Sequence, residues 1–370
     1  MNRRSFLTTA TALPFLATRQ GHAADLAHPG PGHVGPLNLI TDVAGLAVGE
    51  AHDASVRTGV TVILPDQRCA AAVDVRGGGP GTRETDTLTA GNLVRSVDAI
   101  VLSGGSVYGL AAADGVAAWL GARGRGFTMT KQAGVPPSPI VPTAILFDLA
   151  NGGSKGWGLS PPYRSLALEA VGHTTRKFDL GTWGAGYGAG AGSLKGGLGS
   201  ASFVTGDGIT VGALVAVNSL GSVIVPGTRN FWAGALETGN EFGGLGASAK
   251  HVDEEDWGLA KLNPAARANT TIACIAVDAD LDADELRRVA MMAQDGLARA
   301  IRPVHSPFDG DVIFALSTAR KPLPGGMRPL AVARIGALAA DVLSRAVARG
   351  VFEATLPPGM TGQTWKMLQQ

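Results

Sequence analysis

Two threonines, Thr270 and Thr271, stand directly before a run of apolar and β-branched residues, 272–277. The run predicts a buried strand, and residues 262–269 before it contain the Asn and Pro typical of an exposed loop. A hydroxyl between such a loop and a core strand is well placed to attack the preceding peptide bond. If the bond from Asn269 breaks, Thr270 becomes a new N-terminus. Its hydroxyl is then a nucleophile, and its α-amino group, titrating at about pH 7.7–8.0, is a base beside it.

The same segment, taken alone, also fits a strand that simply begins with two threonines, because Thr is common in strands. Other polar residues favour the chemical interpretation. Asn218 follows a predicted strand, 209–217, and an amide N–H there can donate to a developing oxyanion, although Asn also favours turns. Asp309 and Asp311 flank a glycine and project into one small space. There they can orient the amine and hydroxyl of Thr270 or shift a pKa, although Asp-Gly is also a turn dipeptide.

The richest glycine tract, residues 182–199, carries a single lysine, Lys195. It is not a phosphate-binding loop, because no Gly-Lys-Ser/Thr sequence ends it. Residues 186–191 fit a dinucleotide fingerprint loosely, but no apolar strand leads into them. The tract is therefore interpreted as a glycine loop that brings one lysine beside an active site.

Composition bounds the remaining possibilities. The chain has 370 residues, 45% hydrophobic and 16% charged, so it can bury a large core. With 31 basic and 30 acidic residues, no net field draws it to nucleic acid or to a membrane surface. The two cysteines, Cys69 and Cys274, form neither a disulfide framework nor a metal-ligand spacing. We therefore predict no cofactor and no metal.

The first 23 residues have the layout of a twin-arginine export signal. Arg3 and Arg4 precede Phe-Leu, a short apolar stretch follows, and small residues surround a cleavage site at Ala23. The stretch is far shorter than the ~20 residues of a membrane span. We predict a periplasmic protein with one catalytic domain, 24–370; the alternative for the signal is a disordered tail with two chance arginines.

The predicted elements that position these residues alternate between strands and helices. Strands 37–43, 58–64 and 70–75 are expected to form an antiparallel sheet. A hairpin is expected to join strands 209–217 and 222–226. The further predicted strands are 99–102, 140–147 and 312–316. The predicted helices are 107–120, 334–349 and one that begins at an Asp282 N-cap with a capping box to Glu285 and is stopped by Pro303.

Several of these segments together resemble one known family. They are residues 76–86, 102–106, 192–197, 218, 269–272 and 308–311, in this order. They look like the DmpA-type peptidases, which include D/L-aminopeptidases, β-peptidyl aminopeptidases and the nylon-oligomer (6-aminohexanoate) hydrolases. The resemblance runs from about residue 37 to residue 349. It implies an α+β fold, an αββα sandwich similar to DmpA and ornithine acetyltransferase, and self-cleavage into chains 24–269 and 270–370 that stay together.

The resemblance also implies residue roles. Thr270 matches the nucleophile, Asn269 the residue before the cut and Asn218 the oxyanion-hole asparagine. Lys195 matches the active-site lysine of the nylon-hydrolase branch, and Asp309 with Asp311 its paired acids. The aminopeptidases usually have a Ser nucleophile and a Ser-x-Glu in place of 309–311. These two differences favour the nylon-hydrolase branch, acting on 6-aminohexanoate oligomers or β-peptides, and argue against an α-aminopeptidase.

Three alternative functions remain at this point. The first is a D/L-aminopeptidase acting on short α-peptides and amino-acid amides. The second is acyl transfer as in ornithine acetyltransferase, which the export signal argues against because that enzyme is cytoplasmic. The third is a binding protein without chemistry, which would remain a single uncut chain. The predicted partner is a small amide or peptide substrate, with neither nucleic acid nor, after export, a membrane, and the resemblance implies a homo-oligomer of the two-chain unit.

Overall fold

The computed structural model describes residues 30–89, 91–130, 132–261, 269–323 and 327–368. Two predictions fall outside these ranges. They are the export signal, 1–23, and the exposed loop over 262–268 before the proposed cut. Within the described ranges, no helix has the length and apolar character needed to cross a membrane.

Thirteen strands and four α-helices make up the regular structure of the described chain. The strands are β1 (Leu46–Asp53), β2 (Thr58–Pro65), β3 (Cys69–Val75), β4 (Thr82–Arg83), β5 (Ser96–Val97), β6 (Ile100–Ser103), β7 (Thr143–Ile145), β8 (Gly190–Ala191), β9 (Leu194–Lys195), β10 (Gly197–Val204), β11 (Thr210–Asn218), β12 (Thr270–Ala279) and β13 (Val312–Lys321). The helices are α1 (Ala112–Gly121), α2 (Tyr163–Gly172), α3 (Ala283–Ala300) and α4 (Arg328–Phe352).

Two sheets stack face to face between two layers of helices. The main sheet has the strand order β10-β11-β12-β13-β3-β5, and the second sheet has the order β1-β2-β6-β7-β4. Helices α3 and α4 pack on the outer face of the main sheet, and α1 and α2 pack on the outer face of the second. A third apolar cluster fills the space between the sheets. The predicted αββα sandwich is therefore confirmed.

Strand β12 lies at the centre of the main sheet and is buried along its whole length. It pairs antiparallel with β11 on one side and parallel with β13 on the other. Successive side chains alternate between the two faces. Ile272 and Cys274 join the layer between the sheets, whereas Ala273 and Ile275 face the helices. Burial on both faces explains why residues 272–277 of this strand are all apolar; the one charged residue of the strand, Asp278, forms an ion pair with Lys321.

Helix α3 begins as its sequence predicts. The Asp282 carboxylate accepts a hydrogen bond from the backbone N–H of Glu285 at 2.9 Å, and the Glu285 carboxylate accepts from that of Asp282 at 3.0 Å. This reciprocal capping box satisfies two of the N–H groups that a helix start leaves unpaired. Helix α4 covers the predicted 334–349 and extends beyond it at both ends.

Three predicted elements are wrong. Residues 37–43 contain a short 3-10 helix, Ile40–Asp42, because the Asp42 carboxylate bonds the backbone N–H of Leu37 at 3.1 Å and curls the segment. The third strand of the expected sheet, β3, pairs with β13 in the main sheet instead. The hairpin after β11 is absent from the described chain, where Ser222 pairs with Arg302. The pairings of β3 with β13 and of Ser222 with Arg302 join residues distant in sequence, so no local pattern signals them.

Candidate active site

Thr270 is the first residue of β12, and it lies directly opposite Asn218, the last residue of β11. Directly opposed residues on antiparallel strands place their side chains on the same face. That face is the one that carries Ile272 into the layer between the two sheets. Thr270 is 2% exposed and Asn218 is 3% exposed. The nucleophile and the oxyanion donor predicted from the sequence therefore meet at one buried end of this layer.

The Thr270 hydroxyl contacts the bond that it is predicted to attack. Its Oγ1 donates a hydrogen bond to the carbonyl oxygen of Asn269. Asn269 forms a parallel bridge with Asp309, so it continues the line of β12. It is also fully buried, which contradicts the expectation that the exposed loop reaches the cut. Residue 272 pairs with residue 312 in the parallel ladder of β12 and β13. The same register, continued back to Asn269, buries the peptide bond between Asn269 and Thr270.

The Asp311 carboxylate holds the start of β12 from one side. Its Oδ1 accepts a hydrogen bond from the backbone N–H of Thr271 at 2.8 Å, and its Oδ2 lies 2.8 Å from Nδ1 of His305. The hydroxyl of Thr271 is not among the partners of Asp311. That hydroxyl faces the helices and has no hydrogen-bond partner among the described residues. The acid thus fixes the backbone beside the predicted nucleophile rather than a second hydroxyl.

The second acid, Asp309, lies under the same end of the strand and is 1% exposed. Its Oδ1 accepts from the backbone N–H of Leu220 at 3.2 Å, and its Oδ2 accepts from the N–H and hydroxyl of Ser306 at 2.9 and 2.5 Å. Burial raises the pKa of Asp309, and the charge of Asp311 raises it further. The two carboxylates therefore lie close enough for the charge of Asp311 to act on Asp309, as predicted for two acids in one small space.

A glycine loop, residues 76–81, covers the acids closely. The N–H of Gly79 donates to the carbonyl of Asp309 at 2.8 Å. A Cβ at Gly77 would lie 2.3 Å from the backbone N of Asp311, and a Cβ at Gly310 would lie 2.7 Å from Oγ1 of Thr270. Only glycine permits such approaches. These glycines let backbone pack directly against the reacting groups.

The side-chain amide of Asn218 has a defined orientation. Its Oδ1 accepts a hydrogen bond from the backbone N–H of Gly190 at 2.9 Å, and its Nδ2 donates to the carbonyl of Phe147 at 3.1 Å. The backbone N–H of Gly190 is a donor, so the end of the Asn218 amide that faces it must be the oxygen. The NH₂ end of the amide therefore faces away from Gly190. The two hydrogen bonds therefore fix the amide at the end of β11, on the strand opposite Thr270.

Lys195 is buried on the hairpin of β8 and β9, and its ammonium forms hydrogen bonds with backbone carbonyls on both sides of that hairpin. Nζ donates to the carbonyls of Gly186, Ala189 and Gly196 at 3.0, 3.0 and 2.7 Å. Burial lowers the pKa of the Lys195 ammonium to about 7, against the opposing charge of Asp148. The lysine thus holds the loop that presents Gly190 to Asn218, whereas it was predicted to lie beside the active site itself.

Sequence reasoning missed a second lysine. The backbone N–H of Lys261 donates to the carbonyl of Leu220 at 2.9 Å. The Cε of Lys261 would lie 3.9 Å from a Cβ built on Gly190. Burial lowers the pKa of Lys261 to about 8, while the charge of Asp309 opposes the change. Nothing in the irregular segment around Lys261 signals this position, because the chain returns to the site only through tertiary contacts. His305 and Ser306 were also missed, although they lie just before the acids that they contact.

Together the site offers a hydroxyl bonded to the carbonyl oxygen of the preceding residue, an amide on the strand opposite and two buried acids close together. These are the parts of acyl transfer. No group of three or more His, Cys, Asp or Glu side chains in the described ranges is arranged to hold a metal ion.

Solved structures share this architecture. A β-aminopeptidase of Burkholderia sp. superposes with a TM-score of 0.66 at 22% identity, covering 90% of this chain and 92% of that one. The L-aminopeptidase D-Ala-esterase/amidase of Ochrobactrum anthropi, described as a variant of the Ntn hydrolase fold, superposes with a TM-score of 0.63 at 22% identity, covering 89% and 90%. The sandwich therefore defines a protein of the Ntn-hydrolase fold class.

Sequence comparison then places the chain in a family. Residues 38–365 match Peptidase family S58, the DmpA family. An uncharacterized aminopeptidase of Mycobacterium tuberculosis is 44% identical over 343 residues, 86% of this chain and 94% of that protein. A 6-aminohexanoate-oligomer endohydrolase of Kocuria sp. is 30% identical over 325 residues, 85% and 86% of the two chains. The chain belongs to peptidase family S58 and is a peptide-bond hydrolase.

Proposed function

We propose that this hydrolase cleaves its own chain between Asn269 and Thr270 and then uses Thr270 as an N-terminal nucleophile on small amides. One observation carries the proposal. The Thr270 hydroxyl lies against the carbonyl of Asn269, with Asn218 opposite on β11 and the acids beside β13. The strand order brings these groups together, because β12, which carries Thr270, lies between β11, which carries Asn218, and β13, which follows the acids.

Processing would begin when Oγ1 of Thr270 attacks the carbonyl carbon of Asn269. The C–N bond breaks, the hydroxyl proton ends on the nitrogen, and the acyl group is carried as an ester on Oγ1. Water then hydrolyses the ester and releases the carboxylate of Asn269. The products are chain 24–269, if the export signal is removed at Ala23, and chain 270–370 with a free α-amine.

Catalysis would repeat this chemistry on a substrate. The α-amine of Thr270 takes the hydroxyl proton as Oγ1 attacks the substrate carbonyl, and it returns the proton to the leaving amine. The Asn218 amide stabilises the oxyanion, and the acid pair holds the new ammonium or amine in line. Water then releases the acyl group and restores the hydroxyl.

For the substrate we propose 6-aminohexanoate oligomers or β-peptides. Thr at the nucleophile position and Asp309-Gly310-Asp311 support this placement, as does the similarity to the Kocuria endohydrolase. The acids also offer negative charge to the free ammonium that a linear amino-acid oligomer carries at one end. A second candidate is an aminopeptidase acting on short α-peptides. The mycobacterial relative, which bears that name at 44% identity, favours it.

Processing is tested by the bands of purified protein on a denaturing gel. We expect two bands, the smaller beginning Thr-Thr-Ile-Ala on N-terminal sequencing. Thr270→Val removes the hydroxyl while keeping the branched shape, and it should leave one full-length band. Thr271→Val is the matched control, because its side chain faces the helices, and it should still give two bands. Two bands from Thr270→Val would exclude Thr270 as the processing residue.

The two candidate functions are separated by a substrate panel. Matched α-dipeptide, β-dipeptide and aminohexanoate-dimer substrates are compared by the release of free amine. We expect the β-peptide and aminohexanoate substrates to be preferred. A preference for the α-dipeptides would instead support the aminopeptidase, with Thr270 unchanged as the nucleophile.

We further propose that the protein is exported to the periplasm by its twin-arginine signal and assembles as a homo-oligomer of the two-chain unit. Twin-arginine export moves folded proteins, which suits a chain whose maturation depends on its fold. Fractionation of cells and gel filtration of the mature protein test these two points.

A further inference from the structure

A cleft adjoins the oxyanion side of the site. It has a cavity volume of about 440 Å³, and its lining includes Gly190, whose N–H bonds Asn218, together with Lys195, Arg57 and Asn151. This volume lies in the range of about 300–1,000 Å³ found for ligand sites. The cleft therefore begins at a residue that bonds the predicted oxyanion donor, and neither Asp309 nor Asp311 is among the residues that line it.

The charged side chains that the structure describes in the lining of the cleft are all basic. Among the described residues that line it, the charged ones are Arg57 and Lys195, and none is acidic. Arg57 donates to the carbonyls of Asn151 and Gly359 at 2.8 and 2.7 Å, and no carboxylate within the described ranges forms an ion pair with it. A further cation, Lys155, bonds the same asparagine, with its Nζ 3.0 Å from Oδ1 of Asn151. A buried acid, Asp148, interacts with Lys195 by charge and lies next to Gly188 of the lining, and burial raises the pKa of Asp148 to about 6.

Arg57 is fixed in place by its backbone. Its φ is +59°, a left-handed conformation that costs energy for a residue with a side chain. The carbonyl of Arg57 accepts from the amide of Asn151 at 2.6 Å, and its guanidinium bonds the carbonyl of the same residue. A guanidinium held by carbonyls keeps its full charge, since carbonyl oxygens neutralise none of it. The loop therefore presents a permanent cation at the cleft.

The two sides of Thr270 are thus opposite in charge. The acids Asp309 and Asp311 lie on the β13 side, and the cleft with Arg57 lies beyond Asn218 on the β11 side. A short linear amino-acid oligomer has the same polarity, with an ammonium on the acyl unit and a carboxylate on the leaving unit. We propose that the cleft binds the carboxylate of the leaving unit and that Arg57 is the group that recognises it. This inference rests on the proposed function.

The substrate class that follows is short zwitterionic amides with a free carboxylate close to the scissile bond. The test uses the panel above in matched pairs, each substrate as its free acid and as its terminal amide. We expect kcat/KM to favour the acid by about tenfold to a hundredfold, the range of a hydrogen bond to a charged group. Arg57→Gln should bring the acid-to-amide ratio close to one, chiefly through KM, and Arg57→Lys should retain part of the preference.

Arg287→Gln, on the exposed face of α3, is the matched control for the loss of one surface arginine and should keep the wild-type ratio. Hydrolysis of acid and amide at equal rates, or a full preference in Arg57→Gln, would overturn the cleft proposal and leave the proposed function standing. Hydrolysis of none of the pairs by the wild-type protein would overturn both. If Arg57→Gln fails to fold, the wild-type ratio and Arg57→Lys still decide the question.

Discussion

At the scale of single residues, Asn218 is the group whose role is most directly testable. Removing one oxyanion donor costs on the order of 10²–10³ in kcat. We expect Asn218→Ala to lose activity in that range while its circular dichroism stays native, because the side chain forms two hydrogen bonds to backbone groups and is not part of the apolar clusters. Normal hydrolysis by a folded Asn218→Ala protein would remove it from the site.

Lys261 provides a test of the charge around the α-amine that the proposed cut would create on Thr270. A cation near an α-amine disfavours its protonated form and lowers its pKa. Catalysis needs the neutral amine, so activity rises with pH through that pKa. Lys261→Met should therefore move the acidic limb of the pH–rate profile upward, by about one pH unit for a charge at close range. Lys261→Arg should restore it, and an unshifted limb in Lys261→Met would show that this lysine lies too far from the amine to matter.

At the scale of elements, the β8–β9 hairpin acts as a support for Asn218. Lys195 bonds three carbonyls of this loop, and Gly190 of the same loop bonds the amide of Asn218. If Lys195 acts through this contact, Lys195→Met and Asn218→Ala should not add. We expect Lys195→Met to lower kcat about tenfold or more, and the double variant to be no worse than Asn218→Ala alone. Losses that multiply would instead indicate that Lys195 acts directly on the substrate.

Sequence predicted the elements whose signals are local. The two-sided burial of β12, the capping box of α3 and the apolar face of α4 all leave periodic or paired residues in the chain. The sandwich itself followed from the family resemblance, not from these patterns. The pairing of β3 with β13 and the docking of Lys261 on Leu220 join residues far apart, and no local pattern records them. The three carbonyl partners of Lys195 lie within nine residues of it, but an irregular glycine tract has no periodicity that shows which carbonyls turn toward the ammonium.

At the scale of the whole molecule, the proposed cut falls inside the main sheet. Chain 270–370 would carry β12 and β13, and these strands pair with β11 on one side and β3 on the other, both from the first chain. Separating the chains would break two strand pairings and expose the apolar core. We therefore expect the two chains to co-purify through gel filtration and to part only in denaturant. Separation in native buffer would show that the sheet is not intact after processing.

A buried ion pair also joins the two proposed chains. Arg345 of α4 bonds Glu241 at 2.6 and 2.9 Å, and their side chains are only 4% and 8% exposed. Burial by itself would raise the pKa of Glu241, but its hydrogen bonds and charge contact with Arg345 bring it below its ordinary value. A carboxylate with a lowered folded pKa contributes stability above its unfolded pKa and loses it as pH falls through the folded value.

The prediction for this pair concerns the stability of the mature protein. Glu241→Gln leaves the Arg345 guanidinium buried without its counter-charge, a change that typically costs about 3–5 kcal/mol. We expect a lower thermal midpoint for Glu241→Gln at pH 7, and a smaller difference from the wild type at low pH, where the wild-type carboxyl is itself protonated. Glu241→Leu with Arg345→Met removes both charges and should recover much of the loss. Equal midpoints for Glu241→Gln and the wild type at pH 7 would mean that strand pairing alone holds the two chains together.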